Sequence, residues 1–202
     1  LPTTTTVVAS NPTPIIGEVV TLTATVSTGT NLVPTGTVRF LDGATLVGTG
    51  TLTGGTVSST VTIANLQPLT ITAQYQGDVG SAQSSGQVTI APTLAQPILT
   101  IGVNGAANDG LDVTITITPP SGSTLSPSGT VSISAGGAPT QVPVNNGEAT
   151  INYPAGTLVG TVTFTATYSG DSAFAGATQT QTYNAGLLPS SISVNQGATP
   201  PN

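Results

Sequence analysis

Cysteine, histidine, lysine, methionine and tryptophan are all missing from these 202 residues, and Arg39 is the one basic side chain against seven acids, a net charge of −6. Without imidazole, nucleophilic catalysis of the Ser-His or Cys-His kind has no base. Without His nitrogen or Cys sulfur, zinc and most transition metals have no ligands. Schiff-base chemistry has no lysine. A single cation and an isoelectric point of about 4.1 exclude nucleic acid as a partner, since phosphate backbones are held by clustered Lys and Arg. No disulfide can form, so cysteine usage says nothing about redox compartment. No run approaches the ~18 consecutive apolar residues of a membrane span, and no membrane insertion is expected. Carboxylate chemistry and hard-cation binding survive, and no cofactor is expected. The sequence opens at Leu1 with no basic and apolar leader pattern, and we expect a processed, exported chain or an excerpt of a longer one.

What is present is β-forming. Charged residues are 4% of the chain, against about 25% in ordinary soluble domains. Mean hydropathy is still +0.27, because Thr, Val and Ile are abundant and suit a pleated, half-buried surface. Gly (25) and Pro (16) stay below the ~25–30% that marks low complexity. The sequence also repeats itself. "GEVVTLTATVS" (17–27) matches "GLDVTITITPP" (110–120), "PTGTVRF" (34–40) matches "PSGTVSI" (127–133), and "ITAQYQGD" (71–78) matches "FTATYSGD" (164–171). Gly17 and Gly110, Pro34 and Pro127, Tyr75 and Tyr168, Asp78 and Asp171 all stand 93 residues apart. One shared offset means two homologous units, each long enough for its own core.

Apolar residues alternate with period two in both units. Val20, Leu22, Ala24 and Val26 are separated by Thr21, Thr23 and Thr25; Val162, Phe164, Ala166 and Tyr168 repeat the pattern. This is the mark of antiparallel sheets with one wet face. Turn signals such as Asp42-Gly43, Gly54-Gly55 and Asn146-Gly147 recur every dozen or so residues. We expect an all-β chain of seven short strands per unit, two tandem β-sandwiches over 1–92 and 93–186, and a tail over 187–202. The join "APTLAQP" (91–97) reads as a semi-rigid linker.

At "PTGTVRFLDGATLVGTGTL" with "LTITAQYQGD", and at "PSGTVSI" with "FTATYSGDSAFAG", the chain resembles the bacterial Ig-like repeats of large secreted and surface proteins. The resemblance spans nearly the whole chain. It departs over 135–153, where the Asp-Gly turn becomes Gly136-Gly137, and the outer strands there are expected to differ. It implies two tandem immunoglobulin-like β-sandwich domains, a secreted or cell-surface bacterial location and no catalytic residue. The inter-sheet disulfide and buried Trp of antibody domains are absent. Phe40, Tyr75, Phe164 and Tyr168 are then the core aromatics, with the tyrosine hydroxyls reaching backbone.

Few residues offer chemistry. Asp109 and Asp112 are the one close acid pair, but glycoside hydrolysis needs two acids across a sugar-binding cleft, and no aromatic lies nearby. Asn108, Asp109 and Asp112, with Asn104, make a calcium candidate, against the reading of solvated turn formers. Asp78 and Asp171 follow Gly at equivalent turns and are expected to cap them. A Lys–Asn cross-link is excluded, and no Thr–Gln pair is marked for an ester. Asn11-Pro12-Thr13 is blocked as a glycosylation acceptor by its proline. Thr3 to Thr6 are a candidate for O-linked sugar and, alternatively, a polar edge strand.

"ISVNQGA" (192–198) superposes on "IGVNGA" (101–106) with one inserted Gln, placing Ile192 on Ile101 and Val194 on Val103. The tail therefore reads as the opening strand of a further repeat, either in a longer array or as an assembly strand offered to a neighbour. Six of the seven acids fall in or beside predicted turns, which leaves the strand faces nearly neutral. The leading expectation is a non-enzymatic structural protein of a surface fibre, partnered by copies of itself or neighbouring repeats. The alternatives are an adhesin that binds carbohydrate or host protein through loops at one pole, and a passive spacer.

Overall fold

A computed structural model describes residues 1–187 of the chain. They form fourteen strands and no helix. In the first unit these are β1 (Thr3–Ala9), β2 (Val19–Thr28), β3 (Thr37–Asp42), β4 (Thr45–Thr51), β5 (Thr56–Thr62), β6 (Leu69–Tyr75) and β7 (Ser84–Ile90). In the second they are β8 (Ile98–Ala106), β9 (Gly110–Thr118), β10 (Thr130–Ser134), β11 (Thr140–Pro143), β12 (Glu148–Tyr153), β13 (Thr161–Tyr168) and β14 (Ala177–Asn184). By compactness the first unit is Leu1–Pro97 with Pro119–Pro127 and Gly170–Ala175; the second is Ile98–Thr118, Ser128–Ser169 and the chain from Gly176.

In the first unit the sheet β1-β2-β5 faces the sheet β4-β3-β6-β7. The second has the same order, β8-β9-β12 and β11-β10-β13-β14, and every strand pairing is antiparallel. The expected departure over 135–153 is seen as a shortened edge, because β11 has four residues where β4 has seven.

The alternation decides which side chains meet. Val20, Leu22, Ala24 and Val26 on β2 face Val38 and Phe40 on β3 and Ile71, Ala73 and Tyr75 on β6 in one buried cluster. Each large aliphatic or aromatic member contributes roughly 1.5–3 kcal/mol by leaving water. Val113, Ile115, Ile117, Phe164, Ala166 and Tyr168 fill the second core. Phe40, Tyr75, Phe164 and Tyr168 are all buried.

The other faces carry hydroxyls in register. Thr6 pairs with Thr25, which pairs with Thr56. Thr163, Thr165 and Thr167 on β13 stand opposite Thr182, Thr180 and Thr178 on β14. The Thr3–Thr6 run is an edge strand, but only Thr4 and Thr6 are exposed. Thr5 is buried with its hydroxyl 2.7 Å from Ser84 Oγ, and Thr3 Oγ1 lies 2.6 Å from the same atom. Thr5 therefore belongs to the interior, because Ser84 on β7 supplies a partner that the local sequence does not reveal. One acid also departs from the expected turn placement. Asp112 stands within β9, directly opposite Asn104 and Asn152.

Candidate functional site

The most developed surface is the pole of the first unit where β2 leads into β3 and β6 leads into β7. The first connection crosses from one sheet to the other and the second joins two neighbours within one sheet, and loops of this kind are loose without internal ties. Asp78 supplies the ties. Its Oδ2 accepts bonds from Thr35 N and Thr35 Oγ1, both at 2.8 Å, and its Oδ1 accepts one from Gly80 N at 2.8 Å. Asp78 N donates to Ser81 O at 2.9 Å. Beneath it the buried Tyr75 donates its hydroxyl to Thr35 O at 2.7 Å.

The two loops are thus held at one residue, Thr35, by a carboxylate and a phenol. Gly36 permits the approach. It sits at φ 91°, and a Cβ there would lie 2.9 Å from the Gly77 carbonyl oxygen. Bonds from the Thr35 amide and hydroxyl, with a further one from Gly80, hold the Asp78 carboxyl well below the usual carboxylate range. Burial raises the Tyr75 hydroxyl above its ordinary value, and the Asp78 charge adds to the rise. The phenol is therefore a permanent donor.

On this frame three apolar side chains point to solvent, Leu32 (46% exposed), Val33 (55%) and Val79 (110%). A shallow cleft of about 260 Å³ lies among them, lined also by Thr35, Asp78 and Gly80. The second repeat keeps the device and changes the tip. Asp171 Oδ1 accepts from Ala173 N and Phe174 N, both at 2.8 Å, but Ser126 and Ser172 stand 93 residues after Val33 and Val79. With Leu32, Val33 and Val79 in its lining, the chemistry the first unit's tip offers is apolar contact.

The other candidates are placed as follows. Asn108 and Asp109 are exposed in the turn between β8 and β9, where Asp109 N donates to Ala106 O at 3.1 Å. Asp112 Oδ1 accepts from Asn152 Nδ2 at 2.7 Å, so its partner comes from β12 and not from that turn. Among the described residues no three His, Cys, Asp or Glu are grouped to hold a metal. Gln87 Nε2 donates to Thr72 Oγ1 at 2.9 Å on an exposed face, with no acid on that bond. Ile192 and Val194 lie outside the described residues. Two aromatics carry more structure than the sequence marks. Phe174 is buried in the loop after β13, next to the bridge with Ala95, and Tyr153 packs on Phe164 with ring centroids 5.8 Å apart. An aromatic three residues after the capping Asp171 was the available signal for Phe174.

These features define a protein of paired immunoglobulin-like sandwiches with a locked loop pole. The bacterial Ig-like domain (group 3) family matches residues 6–92 and again 100–185, and the chain belongs to that family. No curated protein matches it. Among solved structures it is similar to a two-domain fibronectin type III segment of chicken tenascin, at 14% identity over 88% of this chain and 97% of that one, with a TM-score of 0.48. It is similar to the Yersinia pseudotuberculosis adhesin InvE at 16% identity over 89% of this chain and 58% of that one, TM-score 0.38. It is also similar to the Escherichia coli adhesin FdeC at 14% identity over 89% and 63%, TM-score 0.32. No helix is long and apolar enough to cross a membrane among the described residues.

Proposed function

We propose that this chain is a non-catalytic structural segment of a secreted or surface-exposed bacterial protein, and that copies join end to end into a fibre. The tail around 189–199, which lies outside the described residues, is the joining strand in this reading. The observation that supports it is the nature of the strand faces. They carry in-register Thr and Ser, with Arg39 as the one basic side chain. Such faces meet with little charge to desolvate and little repulsion to overcome. Membership in a bacterial Ig-like family is consistent with this role. Electron microscopy of concentrated material is expected to show filaments that vanish when 187–202 is deleted. A chain that remains monomeric at high concentration sinks the reading.

A second reading, adhesion through the loop pole, is favoured by one observation. Leu32, Val33 and Val79 are held out to solvent on a rigid frame whose counterpart has serines at the last two positions. An exposed apolar cluster on a fixed scaffold is the usual anatomy of a protein contact. In this reading Val33→Ser with Val79→Ser abolishes attachment to a target surface without lowering the melting temperature.

A further inference from the structure

The open edges of the four sheets are not alike. β1 is tied to β7 through Thr3, Thr5 and Ser84, and β4 approaches β5 where Ser59 lies over Gly48. β11 is four residues long and ends in Pro143; β12 is six long and carries Glu148. β8 contains Gly102 and Gly105, the latter at φ 113°. Cover, shortness, proline, charge and irregular backbone are the ways in which proteins keep an edge from pairing with another molecule.

β14 is held to β8 at its C-terminal end, where Tyr183 donates its hydroxyl to Gly105 O at 2.9 Å, yet over Thr178–Thr182 this strand lacks all of these. It is the outermost strand of its sheet, eight residues long, with no charge, proline or glycine. Thr178, Gln179, Thr180, Gln181 and Thr182 are all exposed in succession. On a covered strand every second one would be hidden. The first unit shows the contrast. Gly86 on β7 pairs with Ala73, as Gln179 pairs with Ala166, and Gly86 lies directly under the Thr5 carbonyl of β1.

The exposed run reads Thr-Gln-Thr-Gln-Thr, the same in both directions. Two such strands running antiparallel about a two-fold axis at Thr180 set Thr178 against Thr182, Gln179 against Gln181, and Thr180 against its own copy. Within the sheet Thr182, Thr180 and Thr178 already stand opposite Thr163, Thr165 and Thr167, so the threonine rows continue across the axis unbroken. Threonine pairs across a ladder are favourable, and no like charges meet. The Thr182 carbonyl now accepts a bond from Gln181 Nε2 at 3.2 Å, a bond that a partner strand's backbone N–H would replace.

We propose that β14 is a self-complementary edge through which two copies of this chain pair antiparallel about Thr180, joining two four-stranded sheets into one. This contact is two-fold and lateral. It is separate from the end-to-end joining proposed for the tail, and it closes on itself where that one propagates.

The chain has no cysteine, so a single introduced thiol reports cleanly. Residues facing each other across an antiparallel ladder have Cα atoms about 4.5–5.5 Å apart, inside the disulfide range of about 4.4–6.8 Å. Thr180→Cys in the full chain is expected to give a covalent dimer under mild oxidation, while Thr25→Cys on the central strand β2 stays monomeric. In sedimentation velocity the unmodified chain is expected to dimerise with rising concentration. Thr180→Lys and Thr180→Glu are each expected to weaken the dimer about fivefold, and an equimolar mixture of the two restores it. Thermal melting checks that both variants fold; if either does not, the thiol result decides. Deletion of 188–202 is expected to leave the dimer intact. Equal cross-linking of the two cysteine variants overturns the proposal. So does a monomeric chain at millimolar concentration, loss of dimer on deletion of the tail, or indifference to both charged substitutions in folded protein.

Discussion

Asp78 shows how much a single residue can organise when so little charge is available. Its carboxylate accepts from Thr35 N, Thr35 Oγ1 and Gly80 N, and these bonds favour the ionised form. The folded-state pKa lies below the unfolded one, so the native state binds fewer protons across the acid range. Its contribution to stability is fully present above about pH 4 and is lost as pH falls through the folded value. Urea unfolding of the first unit is expected to give a flat midpoint from pH 7 to about pH 4 and a falling one below, with Asp78→Asn removing part of that slope. Tyr75→Phe tests the bond beneath. It removes the donor to Thr35 O while keeping the ring, and it is expected to cost about 1 kcal/mol in chemical denaturation. In the second core, Phe164→Ala removes a fully buried ring that also supports Tyr153, at an expected cost of about 3–5 kcal/mol.

Between elements, the seam where β1 meets β7 turns on Gly86. A Cβ there would run into the Thr5 carbonyl, a backbone atom that cannot rotate aside. Gly86→Ala is expected to destabilise the first unit by about 1–3 kcal/mol, whereas Gln179→Ala at the equivalent position on exposed β14 is expected to stay within about 0.5 kcal/mol. Parallel thermal melts of the two variants check this. The strands themselves are legible in the sequence, because period-two alternation records which side of each faces the core. The rewritten 135–153 stretch was legible as a place of change but not as a shortened β11. The sequence shows that the Asp-Gly turn is gone but not where pairing with β10 stops. Thr5 was misplaced for a related reason. Its hydroxyl looks solvent-bound until Ser84, 79 residues away, comes beside it.

For the molecule as a whole, one basic side chain and seven acids leave almost no scope for ion pairing at the surface. Stability rests on the two cores and on hydrogen bonds. The melting temperature is therefore expected to shift little on raising ionic strength from about 20 mM to about 500 mM, since screening acts only on exposed charge. A large shift would mean that the few acids do more than cap turns.

The sequence by itself determined that the chain is all-β, that it is two copies of one unit 93 residues apart, that Phe40, Tyr75, Phe164 and Tyr168 lie inside, and that it holds no imidazole, thiol or lysine. These follow from residue type and from spacing along the chain, which no packing can alter. Only the tertiary structure decided that Asp78 and Thr35, 43 residues apart, make a lock and that Leu32, Val33 and Val79 share one exposed pole. It also decided that the Thr178–Thr182 run of β14 is left exposed at its sheet edge. Those are facts about residues distant in sequence, and hydrogen-bond partners and cover are fixed only when the strands are laid beside one another.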